Sequence, residues 1–198
     1  MSTGTAERLD ADELLHLAIR ASEADRHEES ISYLKRAADI APKNGKVHYL
    51  LGAEHAQIGL YERAMEEMQR AVDLDPTLYT AHFQLGLLYV TAGRPDQAKV
   101  AWQALDNLGQ NDPLYHFKSG LLRLVNDEFP QAIDYLKKGL AMNTANEALN
   151  RDMRRILADI EKLMPSSTPP AGQQPPSKQA DQHVLLSAYR QNRNDEAE

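Results

Sequence analysis

The sequence predicts an all-α protein, a solenoid of about four stacked helix pairs closed by a final helix. Three observations carry that prediction. Histidine recurs at His48, His82 and His116, glycine at Gly52, Gly86 and Gly120, and alanine at Ala64, Ala98 and Ala132, each series spaced by 34 residues. A period of that length marks one supersecondary unit copied in tandem. Within each period, helix-length apolar segments are broken by glycine or proline. Beyond the last copy, Leu149, Met153, Ile156, Leu157, Ile160 and Leu163 step by threes and fours, which draws one stripe along a helix.

The elements follow in order. Residues 1–10 are read as a flexible lead, and they lack the apolar core of a signal peptide. Four units span residues 11–44, 45–78, 79–112 and 113–146. In the second, Val47 to Leu60 reads as a helix, Gly59-Leu60-Tyr61 as a turn, and Glu62 to Asp73 as a second helix. Asp75-Pro76 stops it, because proline has no amide hydrogen and disfavours helix in the residue before it. The third unit repeats the plan with its turn at Gly93-Arg94-Pro95. Small residues at fixed points let the two helices of a unit approach, and Leu51, Met68 and Trp102 fill the space between them. Residues 147–164 form the closing helix, since the outer face of a last repeat needs cover. Residues 165–180 hold five of the ten prolines and read as a disordered linker. Residues 181–198 carry a short apolar island.

These residues resemble the tetratricopeptide repeat family. Leu51-Gly52, Gly59, Tyr61, Ala64, Met68, Ala71 and Pro76 match its pattern in the second unit, and Leu85-Gly86, Tyr89, Gly93, Ala98 and Trp102 match in the third. The first unit is in phase through Leu17-Ala18, Ser30, Leu34, Ala37 and Pro42. The fourth keeps Gly120, Phe129, Ala132 and Leu136. Departures are Gln110 and Thr144 in place of proline and Ser119 in place of leucine. The resemblance implies a right-handed superhelix of four helix pairs and a role in protein–protein interaction.

Composition narrows the chemistry. The 198 residues include no cysteine, so a disulfide framework, a thiolate zinc site and a cysteine nucleophile are excluded. A formal charge of −7 argues against a general nucleic-acid binder. No apolar run approaches the ~18 residues of a membrane helix, and a cytoplasmic protein without membrane insertion is expected. The three periodic histidines invite a zinc reading. Metal ligands must converge within roughly 4 Å at bonds of about 2 Å, whereas equivalent positions on stacked helices lie ~8–10 Å apart. The histidines are therefore read as packing residues. No phosphate loop, HExxH or nucleophile elbow is present, so neither enzyme activity nor a metal or other cofactor is expected.

The resemblance places the fifth, ninth and twelfth residues of each unit on the concave face. Nine of these are bulky and apolar: Leu15 and Ile19, Tyr49, Phe83, Leu87 and Val90, and Phe117, Leu121 and Leu124. They define an expected groove for an apolar or amphipathic peptide. The family's clamp for acidic C-terminal peptides would fall on Leu15, Ile19, Leu50, Thr80 and Gln84, none of which carries the required group. Val184, Leu185, Leu186 and Tyr189 form a candidate interaction motif in the tail, able to dock in the protein's own groove or a neighbour's. The expected role is an adaptor, scaffold or dedicated chaperone, with a homodimer as one arrangement. The alternatives are a structural subunit of a larger assembly such as a secretion machine, or a chaperone similar in build to those of type III secretion translocators.

Overall fold

The computed structural model describes residues 9–163. The described residues are all-α. Helices α1 (Ala11–Glu23), α3 (Gly45–Gln57), α5 (Tyr79–Thr91) and α7 (Pro113–Val125) are the first helices of four pairs. Their partners are α2 (His27–Ile40), α4 (Tyr61–Leu74), α6 (Pro95–Trp102) and α8 (Phe129–Met142), and α9 (Glu147–Leu163) follows. Starts within each series are 34 residues apart. The chain divides into two compact units at Leu85/Gly86, inside α5.

Local chemistry explains the boundaries. A side-chain oxygen caps α1, α3 and α7: Asp10, Asn44 and Asp112 accept from the amides of Glu13, Lys46 and Leu114 at 2.8, 3.1 and 2.8 Å. Glu13 also accepts from the Asp10 amide at 2.9 Å, closing a capping box. The second helices have no such cap at Arg26, Leu60, Arg94 or Glu128. Their entry is fixed by the preceding turn. In all four turns one residue adopts positive φ: Asp25 (55°), Gly59 (78°), Gly93 (74°) and Asp127 (58°). The next amide donates five residues back, Arg26 to Ala21, Leu60 to His55, Arg94 to Tyr89 and Glu128 to Arg123, at 2.8–2.9 Å. This is the Schellman closure of a helix end. It ends α3 at Gln57, earlier than the expected Leu60, and it starts α4 at Tyr61. Pro95 likewise opens α6 instead of sitting in the turn, since the first helical position needs no amide donor.

In the first unit, α1 packs on α2, α2 on α3 and α3 on α4. Leu14, Leu15, Ala18, Ile31, Leu34, Ala37, Val47 and Leu51 form one buried cluster. Gly52 lies so close to α4 that a Cβ there would stand 2.7 Å from Met68 Cγ. In the second unit, α7 packs on α8 and α8 on α9. A Cβ at Gly86 would lie 2.1 Å from Trp102 Nε1, and one at Gly120 would lie 2.9 Å from Leu136 Cγ. On α9, Leu149, Met153, Ile156 and Ile160 are buried, as their spacing predicts. A polar clamp joins α9 to the end of α8. Asn143 donates to Asn150 Oδ1 at 2.9 Å, and Asn150 donates back to the Asn143 carbonyl at 2.8 Å.

The third pair breaks the pattern. The α-helix α6 stops at Trp102 and continues as a 3-10 helix, Gln103–Leu108. The slot held by Ala37, Ala71 and Gly139 in the other pairs holds Leu105 here, and all four residues are fully buried or lie deep in the packing. A leucine thus stands where the other pairs carry alanine or glycine, within the segment that winds as a 3-10 helix.

Two glycine substitutions separate conformation from packing. Gly59→Ala meets no atom within 4 Å and costs only the left-handed conformation, about 1 kcal/mol. Gly86→Ala drives a methyl into the Trp102 indole and costs about 2–3 kcal/mol. Urea denaturation followed by the emission of the single tryptophan measures both, and equal costs would refute this account.

Candidate functional site

All nine expected groove residues stand on first helices: Leu15 and Ile19 on α1, Tyr49 on α3, Phe83, Leu87 and Val90 on α5, and Phe117, Leu121 and Leu124 on α7. Six are buried. Leu15, Phe83, Leu87, Val90, Phe117 and Leu121 expose 6% or less of their surface. This corrects the expectation that all nine offer open apolar surface. Leu15 belongs to the core of the first unit. Phe117 is held by the small residue opposite it, since a Cβ at Gly139 would lie 2.5 Å from its ring. Ile19, Tyr49 and Leu124 remain partly exposed. Burial raises the Tyr49 phenol above its ordinary value, so the hydroxyl stays neutral. Val184, Leu185, Leu186 and Tyr189 lie outside the described residues.

Two of the periodic histidines, His48 and His116, are tied to the loops that precede their helices. His48 Nε2 donates to the Pro42 carbonyl at 3.1 Å, and its Nδ1 meets Glu67 Oε2 at 2.7 Å. His116 Nε2 donates to the Gln110 carbonyl at 2.8 Å. In both, the ring reaches the residue six positions back and props the loop that enters its helix. Among the described residues, no three His, Cys, Asp or Glu side chains converge to hold a metal ion.

The first unit carries a second set of imidazoles and carboxylates. Glu54 on α3 is buried, and His27 on α2 meets it at 2.9 Å. His55, next to it, is 4% exposed, and its Nδ1 has no hydrogen-bond partner. Burial holds the His55 pKa below its ordinary 6.5, and nearby Glu67 opposes that shift. The neutral ring is thus the form the fold prefers.

The second unit holds a cavity that the sequence reading missed. It has a volume of about 340 Å³ and is lined by Lys99 of α6, by Tyr115, Ser119, Leu122 and Arg123 of α7, by Asn126 just after it, and by Tyr135 of α8. Its lining has two cations, three hydroxyls, an amide and one apolar side chain. Asp96 pairs with Lys99 at 3.2 Å and Glu128 with Arg123 at 2.5 Å, both near the surface. One signal for the cavity stood in the sequence. Ser119 occupies the slot that Leu17, Leu51 and Leu85 fill in the other units.

Among the described residues, no helix is long and apolar enough to cross a membrane. The tetratricopeptide repeat family matches the chain over residues 15–78 and 56–121, together more than half of it. No curated protein matches. Several solved structures do. MamA is 23% identical over 69% of this chain and 80% of its own, with a TM-score of 0.59. MamA from Desulfovibrio magneticus RS-1 is 16% identical over 79% and 97%, with a TM-score of 0.57. A chain of the APC/C hetero-tetramer Cut9–Hcn1 is 18% identical over 77% of this chain and 30% of its own, with a TM-score of 0.69.

The His55 environment predicts a pH dependence. The unfolded ring takes up a proton near 6.5 and the folded one resists it, so its contribution to stability is complete above 6.5 and is lost as pH falls below that value. Urea midpoints from about pH 8 to about pH 5 should fall in the parent chain. His55→Gln should lower stability at every pH yet flatten that slope; an unchanged slope would refute the assignment.

Proposed function

We propose that this chain, which belongs to the tetratricopeptide repeat family, is an adaptor or dedicated chaperone that holds an apolar or amphipathic segment of a partner protein. The family makes it a protein–protein interaction module. The finer reading rests on one observation: of the nine apolar residues in the expected groove positions, six are buried, whereas Ile19, Tyr49 and Leu124 stay partly exposed. Such a side chain has a fixed backing and an open face, which suits an anchor for a partner residue. Ile19 and Tyr49 serve the first unit and Leu124 the second. The buried six set the positions of these anchors and do not touch the partner. The apolar island at 184–189 is a recruitment motif or a competitor for the same surface.

A second reading is a permanent structural subunit. The Cut9–Hcn1 structure, similar in fold, is a hetero-tetramer, and this favours assembly with a lasting partner. The two readings differ in the lifetime of the complex, since a chaperone releases its client.

The test is affinity capture from native cell extract with the intact chain, followed by titration of a synthetic peptide from the captured partner. A peptide held by the first unit is expected to weaken about tenfold or more with Ile19→Glu, and one held by the second unit with Leu124→Glu, the loss of one anchor, with the helical circular dichroism unchanged. Equal affinity for parent and variants would remove both side chains from the binding surface.

A further inference from the structure

The cavity between α6, α7 and α8 arises where two departures from the repeat coincide. Ser119 leaves the volume a leucine would fill, and α6 gives way to a 3-10 helix just after Lys99. The cavity walls present Lys99, Arg123, Asn126 and the hydroxyls of Tyr115 and Tyr135, with the Ser119 hydroxyl donating to the Tyr115 carbonyl at 2.7 Å, and no carboxylate lines them. Such a lining takes an anionic, hydrogen-bond-accepting group, and a carboxylate side chain fits both requirements. Lys99 and Arg123 already share their charge with Asp96 and Glu128, so the site is weak for a free ligand. A tethered ligand at an effective concentration on the order of millimolar fills a weak site.

The chain supplies one. Asn194 to Glu198 contains Asp195, Glu196 and Glu198 and no cation. Lys137 on α8 pairs with Glu161 near the end of α9 at 3.0 Å, so the tether leaves from a helix packed on α8, one of the helices that line the cavity. Thirty-one residues separate Leu163 from Asp195, and a chain of that length with coil statistics spans roughly 30 Å. We propose that the carboxylates of residues 195–198 occupy this cavity and latch the end of the chain onto the second unit. The latch is separate from the first-helix anchors and uses different residues of the tail.

The absence of cysteine makes the test direct. A spin label on Ala197→Cys of the full chain should erase the amide resonances of Ser119, Arg123 and Asn126. The loss should persist on dilution with unlabelled chain and vanish in about 1 M salt, where screening reaches about 3 Å. Lys99→Glu with Arg123→Glu should restore the resonances. Both side chains are about half exposed (47% and 46%), and amide dispersion checks the fold. Asp195→Lys with Glu196→Lys and Glu198→Lys should also restore them without touching the folded region. Combining both sets of reversals should erase them again. Full-strength resonances in the labelled parent chain, broadening that ignores both reversals, or broadening that appears only between molecules would each overturn the latch.

Discussion

The structure depends on the close approach of the two helices within each pair. One face of every first helix carries a residue without bulk: Ala18, Gly52, Gly86 and Gly120. The facing helix answers with a large side chain, Leu34, Met68 and Leu136 at mid-helix and Trp102 at the end of α6, all essentially without solvent exposure. At the three glycines a single added carbon would collide. Dispersion and burial both fall off steeply with separation, so this contact fixes how deep the remaining core residues sit. The second small-residue row, Ser30, Ala64, Ala98 and Ala132, is buried for the same reason.

Such tight pairs need turns that reverse direction in three residues, and the backbone pays for this at one site. Asp25, Gly59, Gly93 and Asp127 share the left-handed conformation at 34-residue intervals. Glycine meets the requirement without strain, and aspartate is among the few side chains that tolerate it. Between pairs, the loops are held from the side. His48 and His116 bind the loop carbonyls of Pro42 and Gln110, and Asn44 and Asp112 cap the helices those loops enter. In the second and fourth units, histidine thus supplies a donor to the same loop carbonyl, six residues back.

Where the period fails, the surface acquires individuality. Leu105 in an alanine slot and Ser119 in a leucine slot both fall in the second unit, beside a 3-10 segment and a polar cavity. A strictly repeated sequence presents the same surface in each unit and has little means of choosing among partners. Departures that cost packing leave space lined by polar side chains, which are the raw materials of recognition.

The sequence by itself determined the period, the helix pairs, the closing helix and the family, because small and large residues at fixed spacing encode helix contact directly. Helix ends were legible to within two or three residues. Gly59 and Gly93 announced their turns, whereas Asp25 and Asp127 did not, since aspartate is common for many other reasons. The candidate groove was legible only as a set of helices. Its residues share one register, but register does not say which side chains a neighbouring helix covers. Tertiary packing decided that Leu15, Phe83, Leu87, Val90, Phe117 and Leu121 turn inward while Ile19, Tyr49 and Leu124 keep an open face. It also decided the cavity, because an empty volume belongs to no single residue and exists only once three helices have settled around a missing leucine.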